Sequence, residues 1–285
     1  MNENKTNINW YPGHMAKTKR EIKEKLELID IVYEVIDARM PISSRIIDLD
    51  ELIKDKKRII IVTKYDLCDK EKTSNILKSY KEKYPVIIFN LKSISKKEIN
   101  ELITKTNNLL KYLNESRIKK GLKPRTFRAL VVGAPNVGKS TLINRISGKN
   151  SLTTGNRAGV TKGISWVRIS NTIELIDTPG ILYPKIIDNK VGLNLASLSS
   201  INEDILNKQE LASYIVEFLY YNYKDILINR YILNENIEFN LDNIFDMIGK
   251  NTNSLKKGNL IDLDKVYTII INDLKEGRIK NITMD

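Results

Sequence analysis

The chain has 285 residues, 41% hydrophobic and 29% charged, an ordinary balance for a folded protein with a sizeable core. It carries 47 Lys and Arg against 35 Asp and Glu, a formal net charge of +12, and a single cysteine, Cys68. No apolar run reaches the roughly 20 residues of a membrane helix. A lone cysteine excludes an internal disulfide, and the polar start Met1–Asn9 lacks a signal peptide's apolar stretch. A cytoplasmic protein drawn to a polyanion, nucleic acid foremost, is expected.

In chain order, Trp10 and Tyr11 flank a Pro-Gly turn with the only histidine, His14. Residues 16–29 have a helical period. Ile31 to Ile36 reads as a strand ending in the loop Asp37-Ala38-Arg39-Met40-Pro41. A short helix is expected over 45–54. The β-branched run Arg58 to Val62 has the composition of a central parallel strand buried on both faces. A helix near 70–82, a strand at Val86 to Phe89, a long helix over 97–116 and a basic linker at 119–124 follow. Then come the strand 127–132 and the start of a helix at 141. Residues 150–163 read as a loop, and 164–169 and 172–176 as paired strands. From about Leu195 the pattern turns all-helical, with helices at 208–222, 241–249 and 262–275. Alternating strands and helices imply an α/β fold with a mostly parallel sheet and helices on both faces. The division expected is an α/β domain over 1–190 and a small all-α domain over 195–285.

Between strand and helix stands Gly133-Ala134-Pro135-Asn136-Val137-Gly138-Lys139-Ser140, the P-loop pattern in the context it requires. Its glycines let backbone N–H groups point at a phosphate, and the helix N-terminus adds partial positive charge. The stretch Asn136 to Thr141 is therefore expected to bind nucleotide phosphates. Lys139 would reach the β- and γ-phosphates, and Ser140 would hold Mg²⁺.

Three further stretches choose guanine. Asp177-Thr178-Pro179-Gly180 follows a strand; Asp177 would act on Mg²⁺, and the Gly180 N–H would sense the γ-phosphate. Thr63-Lys64-Tyr65-Asp66 resembles the guanine-reading Asn-Lys-x-Asp, with Thr63 in place of Asn. A carboxylate at Asp66 accepts from guanine N1–H and N2–H₂, which adenine cannot match. Ser93-Ile94 takes the place of the Ser-Ala element that meets guanine O6 through a backbone N–H. Because the guanine-reading elements precede the P-loop, the order is that of a circularly permuted P-loop GTPase, and chain order is not compulsory in a compact domain. Thr161 is the candidate switch residue that completes the Mg²⁺ shell. Ile181 stands where Ras-like enzymes carry a water-orienting Gln, so that role needs another group. His14 is the candidate, since an imidazole can hydrogen-bond a water near neutral pH.

Together, Trp10-Tyr11-Pro12-Gly13-His14-Met15-Ala16-Lys17, Asp37-Ala38-Arg39-x-Pro41, the permuted motifs and Asp177-Thr178-Pro179-Gly180-Ile181-Leu182 resemble the bacterial ribosome biogenesis GTPase A family, across essentially the whole chain. The resemblance implies a GTP-hydrolysing factor that binds a late precursor of the large ribosomal subunit, contacts rRNA and leaves after hydrolysis. The Gly-x-Pro-Asn form of the P-loop resembles that of potassium-activated GTPases, in which the residue matching Asn136 helps hold K⁺. Turnover stimulated by the ribosome and a monomeric state are the further expectations. The rivals are a non-hydrolysing guanine-nucleotide sensor, a permuted GTPase of the small subunit or another RNA, and an ATPase, against which Asp66 argues. Two basic clusters, Lys17 to Lys25 and Lys119, Lys120, Lys123 and Arg125, are candidate phosphate contacts.

Overall fold

A computed structural model describes residues 24, 26–148, 166–176, 180–181, 186, 188–200 and 207–285. The strands are β1 (Ile31–Asp37), β2 (Lys57–Thr63), β3 (Val86–Ile88), β4 (Phe127–Gly133), β5 (Trp166–Arg168), β6 (Ile173–Ile176) and β7 (Gly180–Ile181). The helices of the same unit are α1 (Leu49–Ile53), α2 (Lys70–Lys81), α3 (Lys96–Lys119) and α4 (Lys139–Ser147).

The strands form one sheet in the order β3-β2-β1-β4-β6-β5, with β7 continuing beside β4. All pairings are parallel except β5 with β6. This sheet is what the hydrophobic runs require: every residue of β1 is buried, as are all but Lys57 in β2. Helices α3 and α4 cover one face, where Leu102, Leu110, Leu142 and Ile146 pack with Tyr33, Val35, Ile61 and Val131. Helix α1 covers the other face at β1 and β4, and α2 at β1 and β2.

From β1 the chain winds outward through β2 and β3, then α3 carries it back to β4 on the other side of β1. That reversal opens a crevice at the carboxyl ends of the parallel strands, the usual ligand position in open α/β sheets. Asp37 lies opposite Thr63, and Val35 opposite Gly133, so three loops leave the sheet at one edge.

The described residues from Asp188 onward form helices: α5 (Asn189–Ser197), α6 (Lys208–Asn222), α7 (Lys224–Tyr231), α8 (Leu241–Asn251) and α9 (Leu263–Lys275). They share one core, including Leu195, Leu211, Ile215, Phe245 and Ile270, and it takes in Met40 from the loop after β1. Helix α5 straddles the division expected at 190–195, and its buried Val191 and Leu195 join the helical core. The C-terminal tail then returns to the sheet edge. Asn281 N–H donates to Leu67 O (2.8 Å), Met284 N–H to Arg39 O (2.7 Å), and Thr283 pairs with Thr73 (2.8 Å). Among the described residues, no helix is long and apolar enough to cross a membrane.

Gly133 ends β4 with φ +156°, and a Cβ there would sit 2.4 Å from Val35 O in β1. Backbone cannot yield as a side chain does. Gly133→Ala is therefore expected to destabilise the fold by about 3 kcal/mol or more, read as a lowered urea midpoint with an unchanged slope. A variant as stable as the parent would contradict the close approach.

Candidate nucleotide site

The P-loop leaves β4 at Gly133 and enters α4 at Lys139. Gly138 caps α4 from the left-handed region (φ +104°), and no side chain caps this helix start. The first-turn N–H groups therefore face the crevice, with no acidic residue among them, an arrangement suited to an anion. The φ of +104° is what requires glycine here; a Cβ would also meet the end of the Leu91 side chain at 2.6 Å. Lys139 is buried, and its ammonium donates to Ala134 O. Burial pushes its pKa down to about 8, aided by the nearby Lys64 charge.

The guanine-reading stretch is stapled directly to this loop. Thr63 Oγ1 lies 2.6 Å from Val137 O and 3.0 Å from Ile36 O, so its one proton serves the P-loop carbonyl first. Lys64 Nζ donates to Asn136 O (2.6 Å) and pairs with Asp37 (2.8 Å). Thr63 thus keeps a side-chain bond where the resembled motif has Asn. Asp66 turns to the crevice, its Oδ2 2.7 Å from Lys92 Nζ.

A cleft of about 550 Å³ joins these pieces. Its wall includes Lys64, Asp66, Leu67, Leu91 and Lys92, the expected base end, and Asn136, Gly138, Lys139, Ser140 and Thr141, the expected phosphate end, with Arg145 and Lys275. Among the described residues the cations of this lining face one carboxylate, Asp66, a balance suited to a polyphosphate joined to a group that needs an acceptor. Val137 contributes its carbonyl, while its side chain lies in the core. Gly180, in β7, pairs with β4 opposite Val132, just before the P-loop.

Leu91 and Lys92 line the cleft just ahead of Ser93 and Ile94, whose expected backbone contact to guanine O6 stays a proposal. Ser95 and Glu98 form a capping box at the start of α3, and Glu98 also accepts from Asn90 N–H. This pins the loop in a register that leaves Ser93 exposed and turns Ile94 against the core. Lys92 was within reach of sequence reasoning, directly before the motif position at Ser93. Lys275 was not: it is one more lysine on a helix end, brought here because Gly277 (φ +71°) packs on Leu67. In the second basic cluster, Arg125 is engaged, forking onto Asp30 at 2.7 Å through two nitrogens. Lys119, Lys120 and Lys123 are exposed. His14, Thr161 and Asp177, with the cluster from Lys17 to Lys25, lie outside the described residues.

Among the described residues no group of three His, Cys, Asp or Glu is placed to hold a metal. Ser140 offers one oxygen in the first turn of α4 beside Lys139, a donor suited to a hard cation that bridges phosphates.

A phosphate-binding loop and a guanine-reading carboxylate lining one cleft, with the carboxylate earlier in the chain, define a circularly permuted P-loop GTPase. A family model described as "50S ribosome-binding GTPase" matches residues 128–240, beginning inside β4, so the guanine-reading turn lies ahead of the match. The chain is 44% identical to a Bacillus licheniformis protein named "Ribosome biogenesis GTPase A", covering 94% of each. It is 41% identical to a Bacillus cereus protein of the same name, over 98% of this chain and 93% of that one. The GDP-bound structure of TM YlqF superposes with a TM-score of 0.66 at 26% identity, covering 93% of this chain and 98% of that one. The GNP-bound YlqF from T. maritima gives 0.65 at 27%, covering 94% and 97%. The chain belongs to the ribosome biogenesis GTPase A family, and with it to the GTPases that act in ribosome biogenesis.

Proposed function

We propose that this GTPase binds a precursor of the large ribosomal subunit in its GTP form, hydrolyses GTP there faster than in solution, and departs with GDP. The observation that carries the reading is the cleft itself. Asp66 and Lys139 line the same cleft, and Lys275 of the helical unit forms part of its wall. A bound nucleotide would therefore touch the sheet unit and the helical unit together, which is what a nucleotide-dependent grip on a large partner needs. The matched family's printed description and the relatives' names support the large subunit as that partner. The net charge of +12 supports an rRNA contact.

In this reading Asp66 selects guanine, and Lys139 with the first-turn N–H groups of α4 neutralises the phosphates. Ser140 would hold Mg²⁺, together with Thr161 and Asp177, and the metal would supply charge neutralisation between phosphates. Asn136 donates its amide N–H to Ser199 O (2.6 Å), which leaves the side-chain oxygen for K⁺. His14 would orient the attacking water. Sedimentation with large-subunit precursors tests the proposal. Co-sedimentation with a non-hydrolysable GTP analogue and release with GDP are expected. Equal retention in both states, or binding to small-subunit precursors instead, would overturn it.

A further inference from the structure

Asp37, the last residue of β1, and Arg39, two residues on, are buried and are not among the residues that line the cleft. Arg39 forks onto Asp37, with Nε 3.1 Å from Oδ1 and Nη2 2.9 Å from Oδ2, and its own N–H donates to Oδ1 (3.0 Å). Burial alone would push the Asp37 pKa up; the Arg39 and Lys64 charges outweigh it and hold the carboxyl well below the usual carboxylate range. A buried ion pair of this kind gives little net stability over an apolar pair of the same volume. What distinguishes it is a third charge. Asp37 Oδ2 also takes the Lys64 ammonium at 2.8 Å, and that side chain lines the base end of the cleft.

Lys64 is held in an unusual way. Its backbone is left-handed (φ +56°), a strained conformation for a non-glycine residue. The register Asp37↔Thr63 puts the ends of β1 and β2 side by side, and Lys64 follows directly. Its ammonium is then fixed at two points, Asp37 from below and Asn136 O from the P-loop. A free lysine side chain carries about 2 kcal/mol of rotamer entropy, and an ordered stem loses none of it when a ligand arrives. The Arg39 fork keeps Asp37 ionised and turned toward Lys64. The remaining terminal nitrogen of Arg39 donates to Leu274 O (2.7 Å), next to the cleft residue Lys275.

We propose that Asp37, clamped by Arg39, is a positioning residue for guanine-nucleotide binding: it preorders the Lys64 stem across the base end of the cleft. The proposal rests on the assignment of Lys64 to that end. It acts on GDP and GTP alike, because the phosphates lie elsewhere. Uniform loss of binding raises KM and leaves kcat unchanged.

The test is a double-mutant cycle on the full chain, with equilibrium binding of a fluorescent GDP and a fluorescent non-hydrolysable GTP analogue. Asp37→Asn is expected to weaken both by roughly tenfold, and to weaken neither further in a Lys64→Met background. Equal loss in both backgrounds would mark a purely structural role and overturn the proposal. Unchanged binding in Lys64→Met alone would instead remove the base-end assignment, and the proposal with it. Arg39→Lys keeps the buried charge but cannot span both Asp37 oxygens and Leu274 O. It carries the test where Asp37→Asn does not fold, with a smaller loss expected only when Lys64 is present; a loss independent of Lys64 overturns the proposal.

Discussion

Replacing Asp66 with Asn is expected to lower the affinity for GTP and GDP by about a hundredfold or more while leaving the fold intact. The carboxylate accepts from two neighbouring donors on guanine, N1–H and N2–H₂. An Asn amide offers one acceptor and one donor, so a guanine donor would be left facing another donor in a partly desolvated cleft. Such a mismatch loses both the bond and the solvation of the unpaired group. Xanthine, which carries an acceptor in place of N2–H₂, should gain on the variant what guanine loses. The cost to stability should be small. Asp66 is partly exposed and, among the described residues, pairs with the exposed Lys92, and such pairs contribute at most about 1 kcal/mol. Titration calorimetry with GDP, XDP and ADP on parent and variant, beside a thermal melt, separates the two effects. A parent that binds ADP as tightly as GDP would remove the guanine assignment.

The parts of this molecule legible in its sequence are those whose cause is local. The central strands could be read because burial on both faces demands β-branched runs, and β2 is one, Ile59-Ile60-Ile61-Val62. The P-loop could be read because its eight residues must satisfy one tight turn and one helix start. Helix α7 was missed for a reason of the same kind. Tyr223 is both the last residue bounding α6 and the first bounding α7, so the helical period restarts there in a new phase. Helix α5 is short, and buries Gly192, Asn194 and Ser197 as well as its apolar residues, so it shows no clear polar face. The register of the loop at Leu91 and Lys92 depended on Glu98 reaching back to Asn90, a bond between a cap and a loop that no motif position encodes.

Long-range closure was illegible altogether. Thr283 meets Thr73 across 210 positions, and Arg39 meets Leu274 O across 235. These contacts carry no period and no spacing, yet they set where Lys275 stands. The triplet Asp37-Ala38-Arg39 stood out as part of a resemblance, but its chemistry emerged only when β1 and β2 were side by side. A motif at a strand end is read by what the neighbouring strand ends with, and that is a property of topology rather than of sequence.

Lys139→Ala should have the largest effect of all, cutting GTP turnover by about a thousandfold or more. Among the described residues that line the cleft its side chain is the buried cation, and Lys64 is not free to replace it, being fixed to Asp37 and Asn136 O. Its titration gives a second, independent readout. Without a ligand its pKa is pushed down to about 8, first by burial and then by the Lys64 charge. A bound phosphate restores a counter-charge and raises that pKa again, so binding above pH 8 must be accompanied by proton uptake. The affinity for GDP should therefore be nearly flat from pH 7 to 8 and then fall, approaching tenfold per pH unit as the neutral amine comes to predominate. The sign follows from the direction of the shift: a lysine whose free-state pKa is depressed binds an anion best below that pKa. Calorimetry in buffers of different ionisation enthalpy would count the protons directly. Uptake near zero at pH 7 and rising toward one by pH 9 is expected. A constant uptake across that range, or an affinity that climbs with pH, would mean that Lys139 is not the cation that meets the phosphates.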